Sequence, residues 1–499
     1  MKKRSYLLPL MLGLSISLMS QNPAFLVQGQ SLKKDSLLLD IALLEKALVD
    51  IHPGVYRYNT PESLTQHFAD LRAAVKDGMS EAEWMRTLAQ TVVKIRCGHT
   101  YLNPWNMPRS LRKRLFGGDI YFPLGFRIIE GNFYVTHNAS EAADIQRGAE
   151  ILSINGVETQ VIYDSLFTIA KSDGHNSAPA AYYLSLKNFT TYSWQAFDLY
   201  HQLFFPMETS QYVVSYRNFG DESIRTEKVS ALSKQQREDR IRERYGEEAL
   251  QTKFWTFEVV NDQLAVVRLG TFAIWNWKDF DYKVWLKDAF HQLDSLQIPN
   301  LIVDIRGNGG GLSDPKDELL SYIISRKLTC EEAGKILVST TRVDTTLIPY
   351  IDTWNKAILE GIPEGDYERY DDKWYTLKES GCKDVEPQER RYGGKVFIFG
   401  GPSNVSATFD LLYKAQRFGF GQTIGATSGG NKQGINGGDY CFFYLPYSRM
   451  EVDIPVKYFA PAATSPDEGV EPDVEISISQ EDIATDRDPH LEYVKTLIR

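Results

Sequence analysis

The feature that most constrains this 499-residue chain is in its second half, where almost wholly apolar runs alternate with helical ones. "QLAVVRLGTF" reads as a strand, "KDFDYKVWLKDAFHQLDSL" as a helix and "NLIVDIRG" as a strand nearly free of polar residues. "DPKDELLSYIIS" reads as a helix, "GKVFIFGG" as a second buried strand, "SATFDLLYKAQRFG" as a helix closed by glycine and "QTIGATS" as an edge element. Strands that are apolar throughout need cover on both faces, so this alternation implies a mostly parallel sheet between helices. In such sheets the chemistry gathers in loops at the carboxyl ends of the strands. Two of those loops are glycine-rich, "RGNGGGLSD" and "GGPSNVSA".

The chain is too long for one core, so two or three domains are expected. Residues 36–96 read as helices: "DSLLLDIALLEKALVDIH" repeats apolar residues at helical spacing. "TPESLTQHFADLRAAV" opens with Thr60 as cap and Pro61 at the first helical position. Ser80 and Glu83 form a capping box for the third helix. Residues 118–165 switch to short strands, and "IQRGAEILSINGV" followed by "TQVIYDSLFTIA" resembles part of a PDZ domain. A PDZ-like module could bind an extended chain by strand addition. The region 170–255 is aromatic-rich, and its "SKQQREDRIRERYGEE" reads as a solvated, charged linker helix. The expected division is a signal peptide (1–29), a helical domain (30–105), a PDZ-like domain (115–172), a connecting region (173–255), an α/β domain (256–480) and a tail (481–499).

Lys2, Lys3 and Arg4 followed by an apolar stretch from Tyr6 to Met19 have the form of a secretory signal, too short to be read as a membrane span. The mature protein is expected to be exported, to the periplasm or outside the cell, with no stable membrane span. The net charge of -10, with no basic run beyond the leader, argues against a nucleic-acid partner. An oxidising compartment permits disulfides among Cys97, Cys330, Cys382 and Cys441, which allow three full pairings. Cys330 and Cys382 flank one polar insertion and are the first candidates for a bridge; free buried thiols are the other reading. The spacing fits no zinc pattern, and neither a metal nor a cofactor is expected.

Ser406 follows the "KVFIF" strand, where the helix bearing Phe409, Leu411, Leu412 and Ala415 begins. A hydroxyl there lies at the positive end of a helix, among backbone N–H groups. Serine is also a favoured N-cap, so the position alone does not separate cap from nucleophile. Ser403, beside Pro402, suits turn or cap duty. The glycines of "DIRGNGGG" let N–H groups face a cavity with no side chain in the way. That loop lacks the Lys-Ser/Thr of a P-loop, and it could donate to an oxyanion instead. A nucleophilic serine needs a base. His99, in a tight turn after a helix, is the candidate, and Lys432 in "SGGNKQG" is the alternative. His52 reads as packing, and His137, His175, His201 and His291 have no comparable setting.

Taken in order, "RLGTF", "DIRGNGGG", "SNVSATF", "IGATSGGNKQGINGG", "LPYSRMEVDIPV" and "DEGVEPDVEI" resemble the C-terminal processing, or tail-specific, serine protease family, in its tricorn-like and retinoid-binding-protein-like branch. The resemblance covers roughly residues 36–480. It implies an α/β core of the crotonase-like (Clp protease-like) kind, with an N-terminal helical domain and a degenerate PDZ-like insert. It implies Ser406 as nucleophile and an oxyanion held by the N–H of Ala407 and one from the turn at Gly309 and Gly310. The family's lysine position is Gly430 here, with Lys432 two residues on. "CGHT" is similar to the "DGHT" of the tricorn-like branch, which favours His99 as base, with Cys97 in place of the acid. An auxiliary hydroxyl would be Thr100, and the orienting acid Asp467 or Glu468. The expected function is that of an exported serine endopeptidase acting on peptide or protein substrates. The alternatives are an inactive member that binds peptide or an apolar ligand, and a Ser–Lys protease using Lys432.

Overall fold

The helical pattern of the first hundred residues becomes helices Lys34–Ile51, Pro61–Ala74 and Glu81–Val92 in the computed structural model. The structure describes residues 29–190, 195–207, 209–250, 253–378 and 382–498, so the export signal expected in 1–29 falls almost wholly outside the described residues. Leu37, Ile41, Leu44, Leu48 and Ile51 line the buried face of the first helix, as their spacing requires. Capping boxes close the N-termini at Thr60 and Ser80, where each hydroxyl accepts the N–H three residues on. After Val92 a short 3₁₀ turn ends at Arg96, which has a left-handed backbone (φ 57°). That reversal throws the chain sideways into the Cys-Gly-His-Thr turn.

The fold is mixed α/β with several sheets. Strands Leu124–Ile129, Asn132–Asn138, Glu150–Ile154, Gln211–Arg217 and Arg225–Ser230 form one antiparallel sheet in that order. Its last two strands come from the aromatic-rich region that shows no clear pattern in sequence. The charged helix Lys234–Tyr245 is not solvated all round. Arg237 donates to both oxygens of Asp198 through Nη1 and Nη2, each side chain is only 1% exposed, and Ile241 is fully buried. The charged pattern hides this face because the buried charge is neutralised by a partner far away in sequence.

The second half builds the expected parallel sheet. Its order is Val474–Glu475, Gln422–Gly425, Lys395–Gly400, Asn300–Asp304, Leu264–Leu269, with Trp255–Asn261 antiparallel at one edge. Gln422–Gly425 is therefore internal, not an edge: the closing "EPDVEI" segment adds a further strand beyond it. A second, antiparallel sheet is centred on the hairpin Ile435–Tyr444 and Glu451–Ala460. It carries the helical domain, since Leu102 bridges to Val452. The C-terminal helix Pro489–Leu497 packs under the parallel sheet, and Arg306 ties it down through Asp304 and Asp488. Cys330 and Cys382 form a disulfide, while Cys97 and Cys441 are free and buried. No helix among the described residues is long and apolar enough to cross a membrane.

Candidate active site

Ser406 stands at the N-cap position of helix Ala407–Phe418 but is no cap. Its backbone is at φ 54°, ψ −127°, and its side chain makes no capping hydrogen bond. A capping serine is extended and bonds the second or third N–H of its helix. A non-glycine residue held in this region costs on the order of 1–3 kcal/mol, so the surrounding structure must impose it. The result is a serine whose hydroxyl does not cap the helix and which is left partly exposed. Ser403 does take the turn role: its Oγ accepts the Gly307 N–H at 2.9 Å.

The glycine loop lies directly against this serine. A Cβ placed on Gly310 would stand 2.9 Å from Ser406 Cβ and from Val405 O, and 3.1 Å from Ala407 N. Gly310 also has φ +94°, so glycine is required there twice over. Gly309 faces open space. The Gly310 N–H is engaged, donating to Asn308 Oδ1 at 2.8 Å. It is therefore not the free donor that the sequence suggested.

Two buried asparagines, which sequence reasoning missed, wire the loops together. Asn308 Nδ2 donates to Leu269 O (2.8 Å). Asn404 Nδ2 donates to Ile305 O (2.7 Å) and Asn308 O (3.0 Å), while its Oδ1 accepts the Gly401 N–H. Thr408 Oγ1 also donates to Asn308 O, at 2.9 Å. Every polar group of Asn404 that these bonds use is satisfied inside the protein, which rigidifies both strand-end loops. In sequence each asparagine is simply a loop residue.

His99 lies against the hairpin. Its Nε2 would be 3.7 Å from a Cβ on Gly437, and its ring centre is 6.2 Å from that of Tyr440. Its Nδ1 is buried with no hydrogen-bond partner. Burial pushes the imidazole pKa below its usual value; the Asp173 carboxylate opposes this and the Lys171 ammonium adds to it. Thr100 is fully buried and its Oγ1 is 2.9 Å from His52 Nε2. His52 Nδ1 accepts the Gly54 N–H, so Nε2 carries the proton and donates to Thr100. Burial, reinforced by the Arg57 charge, holds His52 neutral, at a pKa of about 3.

The two candidate acids are engaged elsewhere. Asp467 contacts His175 Nδ1 through Oδ2, and its Oδ1 accepts from His175 N (3.0 Å) and Asn431 Nδ2 (2.5 Å). Burial raises the Asp467 pKa, but the His175 and Asn431 bonds outweigh it and the net shift is downward. Glu468 holds Lys432 Nζ at 3.0 Å. The structure thus brings Ser406, Ala407, Gly309 and Gly310 together, and places Lys432, Glu468 and Asp467 on the adjoining loop. His175 gains an acid partner that no local signal in the sequence announced. No group of three or more metal-ligating side chains occurs among the described residues.

The comparisons with known proteins bear on this fold and on the region that holds Ser406. Residues 263–476 match peptidase family S41. Over the whole length, the chain resembles mature CPAF complexed with lactacystin, at 15% identity and a TM-score of 0.63, covering 93% of this chain and 97% of that one. Mature CPAF gives 14% identity and a TM-score of 0.61, with 93% and 96% covered. No curated protein matches the chain. The S41 match over residues 263–476 and the likeness to these protease structures support a C-terminal processing, serine-type peptidase.

Proposed function

We propose that the protein is an exported serine endopeptidase that cleaves peptide bonds through an acyl-enzyme on Ser406. The observation that carries this is the Ser406 backbone, strained and uncapped, beside a glycine turn and the first N–H groups of a helix. Ser406 Oγ attacks the peptide carbonyl carbon while His99 takes its proton. The Ala407 N–H and the Gly309 N–H hold the oxyanion, since the Gly310 N–H is bound to Asn308. The tetrahedral intermediate collapses, His99 protonates the leaving amine, and water, deprotonated by His99, releases the acyl group and restores Ser406. Export is supported by the basic and apolar leader and by the Cys330–Cys382 bridge, which suits an oxidising compartment.

In the same reading the parallel sheet and its helices form the crotonase-like core. Residues 115–172 form the PDZ-like module, with its turn at Asn155 and Gly156 before helix Thr159–Phe167. A fluorophosphonate probe tests the proposal: labelling of the parent and none of Ser406→Ala, together with loss of peptide hydrolysis, is expected. An unlabelled parent that still binds peptide tightly would make the protein a binding module.

A second reading has one observation in its favour. His175 presents its Nδ1 to Asp467, the arrangement of a base oriented by an acid. It would make His175 the base in place of His99, and single alanine variants at the two positions decide between them. Lys432 is the weakest candidate, because its ammonium is held by Glu468.

A further inference from the structure

The Cys-Gly-His-Thr turn carries no acid of its own, and Asp467 and Glu468 are both engaged by other side chains. A carboxylate nevertheless lies on the turn. Asp173 is 5% exposed, and its Oδ1 accepts the Gly98 N–H at 2.8 Å. A Cβ on Gly98 would lie 2.7 Å from Asp173 Oδ2, so only glycine lets both oxygens close over this peptide. The next residue completes a clamp: the Gly174 N–H donates to Arg96 O at 2.9 Å. The turn bearing His99 is thus held from both sides by residues 173 and 174.

The same short segment reaches the nucleophile. Asp173 O accepts from Asn431 Nδ2 at 3.0 Å, and Asn176 Nδ2 donates to Ser428 O (2.9 Å) and Gly430 O (2.7 Å). Gly430 packs on Phe409 in the serine helix, and Gly429 packs on Val405, the residue before Ser406. Asp173 therefore sits in a segment that touches both the histidine turn and the loop flanking the serine.

We infer that Asp173 is the positioning acid of His99: it fixes the turn through Gly98 and supplies the negative charge that stabilises the imidazolium formed when His99 accepts the Ser406 proton. The inference rests on the peptidase reading above. The charged and titratable groups facing His99 are Asp173 and Lys171 on the same segment, His52 at the end of the first helix and Tyr440 on the hairpin. Among them Asp173 is the one carboxylate, and the Lys171 ammonium opposes it. Cys97 does not substitute, because burial, helped by the Asp173 charge, pushes its thiol up to about 11 and keeps it protonated.

Asp173→Asn keeps an acceptor for the Gly98 N–H and removes the charge. In peptide hydrolysis kcat should fall on the order of 10²-fold with KM nearly unchanged, the scale of a misplaced catalytic group. The acidic limb of the pH profile should move down, since an imidazolium that loses a nearby anion is easier to deprotonate. The His99 C2–H resonance, titrated by NMR in the Ser406→Ala background, should move down by the same sign. Asp173→Glu should restore part of kcat. If Asp173→Asn does not fold, Gly98→Ala displaces the carboxylate and should reproduce both effects. A His99 titration and kcat that match the parent in these variants overturn the inference. The NMR titration needs no turnover: a shifted His99 in a protein that cleaves no peptide would support the Asp173 coupling while ending the peptidase reading.

Discussion

The serine side and the histidine side of the site are built differently. Ser406, Ala407, Gly309 and Gly310 lie just past the carboxyl ends of two adjacent strands of one parallel sheet, and their loops are laced by Asn308, Asn404 and Thr408 with buried hydrogen bonds. The histidine side takes its parts from four segments: the end of the first helix, the turn after the third, residues 171–176 and the long hairpin. It also keeps a buried polar atom without a hydrogen-bond partner, His99 Nδ1. A preorganised oxyanion cradle needs rigidity, whereas a base that moves a proton needs an adjustable field. The difference teaches that the proposed nucleophile is a local product of the sheet and the proposed base a product of domain packing.

The largest break in this comparison is His99→Ala. It should cost on the order of 10²–10⁴ in kcat while leaving the Ser406 loop intact, checked by peptide hydrolysis and by the melting temperature. In the parent the acidic limb of kcat/KM should lie below the ordinary imidazole value of 6.5, because burial favours the neutral form that acts as base. Stopped assays from pH 4 to 8 would read it, and a limb above 6.5 would remove His99 from the role.

Gly310→Val attacks the other side. The added atoms meet Ser406 Cβ and Val405 O in a left-handed backbone, so kcat should fall by about 10²–10³, the worth of one oxyanion donor, with KM changed less. Full activity would show that the glycine turn is not part of the cradle. His175→Ala removes an exposed partner of Asp467 and should change kcat less than about fivefold, as expected of a surface ion pair. A loss comparable to His99→Ala would hand the base to His175.

The smallest expected effect is on stability. Glu451 is fully buried beside Asp453, and burial raises its pKa far above the usual carboxylate range, with the neighbouring charge adding to it. The folded state keeps this proton while an unfolded chain releases it above about 4.5, so stability falls as pH rises past that point. Glu451→Gln abolishes that slope. Its melting temperature should exceed that of the parent by about 2–4 °C at pH 8 and by less at pH 5.

Much of the serine side could be read in the chain because its signals are local. An apolar strand, a glycine turn and a serine before a helix follow one another within about fifteen residues, and period and turn chemistry suffice to see them. The strained Ser406 backbone was not visible, because it is packed against the Gly310 turn, which comes from a strand about a hundred residues earlier in the chain. The acid partners were not visible either. Asp467 and Glu468 are adjacent in sequence, yet one faces His175 and the other Lys432. Asp173 lies about seventy residues from the turn it clamps, with no spacing rule connecting the two.

What the sequence determined by itself was the alternation of apolar strands and helices, the capped helices of the first hundred residues and the two glycine loops that bracket the serine. These follow from periodicity and backbone preference, which act over a few residues. Only the tertiary structure decided that Ser406 is uncapped, that the Gly310 N–H is taken by Asn308 and that Asp173 sits on the histidine turn. Those are contacts between segments far apart in the chain, set by how the sheets and the helical domain pack.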